Sequence, residues 1–330
     1  MAMLDTPALV TRLPQRSEWE YGGHIYGLEP LALPANWLPR TSEVDREAIL
    51  ACHENLSTLP PSTTNKLPPP DAAKIDRLFW FRWITGHQTT FLLWQLLAAI
   101  LDDAEDSEPD APALAAQACP LVRGYTLMLL YASSPPREIY ERVIRAPMAR
   151  QHINLSGAWA RDYAPIRPLI RGKISLGSDI EADALRRECE INEQVHEGIT
   201  EKVVPSGISL LQNPKPPGGQ WRMHRETLLW LYDGIFLTSR ANLSYGEVVV
   251  QLARRVHAIV LEINANGLYP LFAPSLHEEP PTLQTPELMD RKQNFTGTLL
   301  EILRLAASPV PERYPHAAPS RAALRGRGSA

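Results

Sequence analysis

RLFWFRWITGHQTTFLLWQLLAAILDD, residues 77–103, is the stretch on which the fold turns. Steps of four put Phe79, Trp83, His87 and Phe91 in one row, with Trp80, Ile84 and Trp94 beside it, a spacing that a helix produces and a strand does not. The segment therefore reads as a buried, aromatic-rich helix over 72–103. Two residues sit awkwardly in it. Gly86 costs about 1 kcal/mol in helix propensity relative to Ala, and the His87 imidazole needs a polar partner among rings. A glycine beside a histidine is tolerated most readily where something flat approaches the backbone, so Trp83, Gly86, His87 and Phe91 are read as a pocket wall. The plainer alternative is that His87 is a hydrogen-bonded core residue.

The same helical spacing recurs over 111–132, 135–148, 180–203, 221–239, 247–263 and 286–307. Several boundaries are legible. Ser244-Tyr-Gly-Glu247 has the form of a capping box, Pro286 follows Thr285 at a first helical position, Asn266-Gly267 closes a helix, and Ser134 stands before two prolines as a cap. Neither alternating strand runs nor an internal repeat is evident, and the expected fold is mostly α. Residues 1–70 are proline-rich and read as an arm, with one short helix at 42–56 capped by Ser42; Asp71 is placed to cap the first long helix. Residues 71–307 form the helical body, and 308–330, rich in Pro, Ala, Gly and Arg, are expected to be disordered. The loops at 204–220 and 264–284 are long enough to form the mouth of a pocket.

With 330 residues and 44% hydrophobic content, the chain can bury a sizeable core unaided. The 33 Lys+Arg against 37 Asp+Glu give a net charge of −4 and no general attraction to nucleic acid. Cys52, Cys119 and Cys189 lack disulfide or zinc spacing, which fits a reducing, cytoplasmic setting. The opening residues lack a secretory pattern, and no apolar run of membrane-spanning length is expected.

HExxH, GxSxG, the P-loop pattern and a strand-linked GxGxxG are all absent. What remains is a set of histidines on apolar helices. His196 shares a helical face with Leu185, Cys189, Asn192, Ile199 and Val203, with Gly198 two residues on; His224 and His257 have similar settings. A single imidazole against a dry wall is how iron in a haem is commonly held, and spacing alone leaves all three open. Glu193-x-x-His196 is half of a di-iron motif whose other half does not occur. Between helices, 152–172 carries Trp159, Arg161, Asp162 and Tyr163. An arginine beside aromatic rings suits the carboxylate of an aromatic amino acid, unless Arg161 simply pairs with Asp162 in a surface turn.

The 77–103 stretch resembles the distal-histidine helix of the histidine-ligated haem-dependent aromatic oxygenases, the group that includes tryptophan 2,3-dioxygenase. There a His-Gln followed by an aromatic residue and Leu-Trp overlies the haem. Within that group, chain length and NLSGAWARDY (154–163) are most similar to the bacterial haem-dependent L-tyrosine hydroxylases of antibiotic pathways. The resemblance is strongest over 76–200. It implies a helical bundle enclosing a b-type haem (iron protoporphyrin IX), with His87 as the distal histidine and His196 as the choice for iron ligand, His224 and His257 being its rivals. The implied partners are L-tyrosine, with hydrogen peroxide or dioxygen as oxidant, the product L-DOPA, and by analogy a homodimer. Pro205-Ser206-Gly207 is at most a reduced form of the loop that tryptophan dioxygenases place after the proximal helix, a departure that favours ring hydroxylation. The alternatives are an indole-opening or tryptophan-rearranging enzyme of the same fold, and a non-catalytic helical binding protein.

Overall fold

In the computed structural model, residues 28–35, 38, 40, 43–59, 72–105, 111–152, 155, 157–203, 225–269 and 279–308 are described. Ser42, Asp71, the 204–224 segment and the 308–330 tail beyond Ser308 lie outside them. Helices dominate, as the periodicity predicts. The long helix is α2 (Ala72–Glu105), followed by α3 (Ala111–Ala132), and these two run along each other. The other flank of α3 carries α7 (Ile180–Val203), while α2 and α7 scarcely touch. Arg123 reaches Glu188, Asn192 donates to Thr126 and Lys202 donates to the Ser133 carbonyl, so α3 and α7 run in the same direction. Gly124 makes this centre possible: a Cβ there would lie 2.5 Å from Ile302 Cδ1 and 3.2 Å from Leu93 Cδ1.

Across α2 packs α9 (Tyr245–Asn266), held by a fully buried ion pair. Arg82 donates to both oxygens of Glu262, at 3.1 and 2.7 Å, and to the carbonyls of Gly267 and Leu268. The expected cap is present: Ser244 and Glu247 form a reciprocal capping box at the start of α9. Helix α1 (Arg46–Ser57), capped by Asp45, packs on α9 and on α11 (Phe295–Ala306). Thr285 caps α10 (Pro286–Gln293) with proline at the first position, as expected.

Four expectations need correction. The 135–148 helix is broken into α4 (Arg137–Ile139), a π-helical turn (Tyr140–Arg145) and α5 (Ala146–Gln151). Pro147 has no N–H to donate, and the Ala146 N–H reaches back five residues to Glu141. Ser134 caps nothing there; its hydroxyl accepts from Arg82. The 152–172 segment, read as a loop, contains α6 (Tyr163–Ile170). The 221–239 helix ends, within the described residues, as α8 (Arg225–Ile235). Its chain turns at Leu237, whose φ of 52° is the single positive value at a non-glycine among the described residues. From there it enters β2 (Thr238–Ala241), which pairs in parallel with β1 (Leu31–Pro34), Leu31 opposite Thr238 and Pro34 opposite Ala241. This small sheet was not legible in the alternation of four-residue strands. By length and apolarity α3 could also cross a membrane, but 72% of that stretch is buried by the rest of the chain, as befits a central core helix.

Candidate active site

Helix α2 lays Trp83, His87, Phe91 and Gln95 along one row, and separate elements close over it. The Trp83 ring centroid is 4.0 Å from that of His87. Phe236, following α8, stacks on His87 at 4.6 Å and 19° and meets Phe91 edge-on at 5.4 Å. Tyr232 lies 4.9 Å from Phe236 and 6.1 Å from Phe91. Tyr140, from the π-helical turn, stands edge-on to Trp83 at 5.9 Å. The box is thus assembled from α2, the α8–β2 turn and an irregular helix of the kind that often borders functional sites.

Inside it, His87 Nδ1 lies 2.8 Å from the Trp83 carbonyl. A carbonyl only accepts, so Nδ1 carries the hydrogen and Nε2 keeps its lone pair. Burial pushes the His87 pKa down to about 4, the Trp83 hydrogen bond acting the other way. At neutral pH the ring is an uncharged, oriented base. The indole Nε1–H groups of Trp83 and Trp94 are buried without a hydrogen-bond partner among the described residues, two donors left for something else to satisfy.

Gly86 faces away from this box. A Cβ on it would lie 3.2 Å from Tyr131 Cδ1 and 3.3 Å from Ala132 Cβ. The flat group that approaches the helix there is the Tyr131 ring of α3, and the glycine is accounted for by helix packing.

One turn beyond Phe91 the row becomes polar. Gln95 donates to Asp162, which also takes a two-pronged hydrogen bond from Arg240 at 2.7 and 2.9 Å; Arg240 binds Asp233 as well. Asp162 therefore belongs to Arg240, not to Arg161. Arg161 lies 3.5 Å from Glu226 and 3.5 Å from Asp233, with its guanidinium 5.7 Å from the Trp230 ring. Its Nε and Nη2 are buried and make no hydrogen bond among the described residues. Tyr163 packs on Trp94 at 5.1 Å, and Trp159 is half-buried in the 3-10 turn Gly157–Trp159. Asp233 precedes Phe236 by three residues, so one face of α8 joins the aromatic box to the charged end.

Neither His196 nor His257 is brought to this box. His196 lies off the packed face of α7, which is instead formed by Leu185, Cys189, Asn192, Val195 and Gly198, and its side chain is exposed. Its ring is solvent-accessible, yet desolvation by the surrounding chain and then the Arg171 guanidinium hold its pKa below the usual imidazole value. The dry wall expected around His196 is absent among the described residues, because the Gly198 face is taken by Thr282 and Leu283, and α3 separates α7 from the His87 helix. His257 is half-buried beside Arg254 and Glu29; burial and then Arg254 lower its pKa. His224 lies outside the described residues.

Sequence reasoning missed Phe236, Tyr232, Tyr140 and Arg240: the first three lie in stretches read only as helices, and Arg240 follows the turn at Leu237. Gln88, adjoining His87, was quoted in the motif but given no role.

A sequence model of the family described as SfmD 3-methyl-L-tyrosine peroxygenase matches residues 41–187. That span, less than half of the chain, holds α1 to α6 and the His87 row, and ends before His196, Phe236 and His257. No curated protein matches the chain. The match supports an oxidoreductase related to a haem-dependent peroxygenase family.

Proposed function

We propose that this chain is a haem-dependent hydroxylase of an aromatic amino acid, using peroxide to convert L-tyrosine to L-DOPA in natural-product biosynthesis. The observation that carries the reading is the His87 box: an uncharged imidazole with one nitrogen tethered and the other free to accept, set among rings beside two unpartnered indole donors. Its chemistry fits one face of a b-type haem, with Trp83 and Phe91 as wall. The surroundings of His196 do not supply such a wall, so the iron-bound imidazole is to be assigned among His196, His224 and His257 by experiment.

Bound haem would supply peroxide activation and oxygen transfer to an aromatic carbon. The balance is L-tyrosine and hydrogen peroxide in, L-DOPA and water out; dioxygen in place of peroxide requires two electrons and two protons from a reductant. The chain's own part is orientation and proton handling. His87 Nε2 accepts a proton from peroxide or from the phenol and returns it, a role for which a neutral imidazole is suited. Trp83, Phe91 and Phe236 pack around the imidazole and fix its orientation. Arg161 takes the substrate carboxylate while Glu226, its loose partner, faces the ammonium group, with Trp159 and Tyr163 bordering the end of the site.

The test is incubation of the purified, haemin-treated chain with L-tyrosine and peroxide. A product heavier by one oxygen atom that co-migrates with L-DOPA is expected. Failure to take up haemin, or unchanged tyrosine with haem bound, overturns the reading. A product carrying two added oxygens from tryptophan assigns the chain to ring-opening chemistry. Alanine at His196, His224 and His257 in turn identifies the iron ligand by loss of haem absorbance, whereas His87→Ala keeps haem and loses turnover.

A further inference from the structure

Phe236 covers His87, and what holds Phe236 in place lies mostly outside the box. Its backbone is at the turn into β2, where Leu237 adopts a left-handed conformation that a bulky L side chain rarely keeps without support. The support comes from Gln88, which is 1% exposed. Its Nε2 donates to the Phe236 carbonyl at 2.8 Å and to the Glu29 carbonyl at 2.9 Å, while its Oε1 accepts from Arg255 Nε at 3.0 Å. One carboxamide thus joins α2, the Phe236 turn, the N-terminal segment before β1 and α9.

The N-terminal segment is fastened along its length to the same parts. Leu31 N–H donates to the Leu237 carbonyl at 2.9 Å, and β1 pairs with β2 directly after it. Arg255 Nη2 donates to the Pro30 carbonyl at 3.1 Å. Gln251 exchanges two hydrogen bonds with Ala32, at 2.9 and 2.8 Å, and Arg254 binds the Glu29 carboxylate. Leu31 and Leu33 are fully buried. Residues 28–34 therefore act as a strap across the turn that carries Phe236.

We propose that Gln88 is the positioning residue of the His87 centre, and that through it the strap of residues 28–34 latches Phe236 over the imidazole and controls access to Nε2. The functional importance of that access rests on the reading of His87 given above; the latch itself does not. Gln88 touches neither substrate nor His87 Nε2 and acts through Phe236.

The test is carbethoxylation of the purified full chain by diethyl pyrocarbonate near neutral pH, followed by peptide mass spectrometry. Three histidines calibrate one another. His196, exposed, reports reagent delivery; His152, buried, reports global unfolding; His87 reports the latch. Gln88→Met removes both donors and the acceptor at nearly constant volume. Gln251→Leu loosens the strap far from the box. In each variant His87 is expected to be modified about tenfold faster, the opening gained on losing one or two buried hydrogen bonds, with His196 and His152 unchanged. An unchanged His87 rate in both variants overturns the latch, and a rise in Gln88→Met alone overturns the strap's part in it. If Gln88→Met also exposes His152, the Gln251→Leu rate decides. Labelling reads access whether or not the chain turns over tyrosine, so failure of the latch and failure of the hydroxylase reading are separate results.

Discussion

The imidazole of His87 and the ring of Phe236 lie face to face, 4.6 Å apart and 19° from parallel. A phenyl face against an imidazole in a dry site penalises the imidazolium, since the charge would lose water and gain only a weak ring partner. The stack contributes to the burial that lowers the pKa of His87 and keeps it an uncharged base. The Trp83 carbonyl settles the remaining question of which nitrogen is free.

Stability should fall in acid through His87. Its folded pKa of about 4 lies below the ordinary 6.5, so the unfolded chain binds this proton more readily. Stability from this group is complete above about pH 6.5 and is lost as pH falls towards 4, by an amount on the order of 3 kcal/mol. Because His196 and His257 are shifted the same way, the contribution is isolated by comparison. Urea unfolding of His87→Phe should show a smaller loss between neutral and acid pH than the parent chain, and an equal loss would remove the argument.

Gly86→Ala should destabilise despite the better helix former. The gain of about 1 kcal/mol in propensity competes with contacts of 3.2 and 3.3 Å to Tyr131 and Ala132. Tyr131 cannot easily yield: its hydroxyl donates to Glu262 at 2.8 Å and its ring lies 5.2 Å from the Arg82 guanidinium. A net loss of about 1–2 kcal/mol is expected, seen as a lower Tm, and Ala132→Gly in the same chain should recover part of it.

How much of this was legible in the sequence follows from which forces were local. The α2 row was legible because four-residue spacing fixes Trp83, His87 and Phe91 on one face wherever the helix lies. The box was half legible, because Tyr232 and Phe236 come at the end of α8, just before a left-handed turn at Leu237, and tertiary hydrogen bonds rather than local spacing bring that end of the helix onto α2. Gly86 was ambiguous, because a glycine records that something is close without recording what, and here Tyr131 and Ala132 are what is close. The setting of His196 was illegible for a different reason. Its helical neighbours Leu185 and Cys189 are buried, but the edge of a buried face and its centre differ by a fraction of a turn, and periodicity does not resolve that difference. Arg161 and Asp162, adjacent in sequence, diverge at the start of α6 to separate partners, which no spacing rule foretells.

Arg82→Met should be among the most damaging single changes in the chain. Arg82 and Glu262 are both fully buried, and the guanidinium also serves Ser134 and the carbonyls that end α9. Removing the cation leaves a buried carboxylate that keeps hydrogen bonds from the Tyr131 hydroxyl and the Asn266 amide but has no cation to balance it, a cost of about 3–5 kcal/mol. Adding Glu262→Gln should restore part of the loss in denaturant unfolding, because the stranded charge is then gone. No restoration would mean that the cost lies in packing.

Arg161 offers the sharpest division between a structural and a binding role. Its Nε and Nη2 are buried yet make no hydrogen bond among the described residues, and the carboxylates of Glu226 and Asp233 stand off at 3.5 Å. An arginine needed only for folding would be expected to spend those donors on its neighbours, as Arg240 does on Asp162 and Asp233. Arg161→Leu should therefore cost little stability, about 1 kcal/mol or less, because Arg240 continues to hold Asp233, and raise the KM for L-tyrosine roughly tenfold or more, the worth of a charge-assisted hydrogen bond. Tyramine, which lacks the carboxylate, separates the two roles. If Arg161 holds the carboxylate, the parent chain and Arg161→Leu should handle tyramine alike, whereas an equal loss on both substrates would make the residue a support for α8 and the aromatic box.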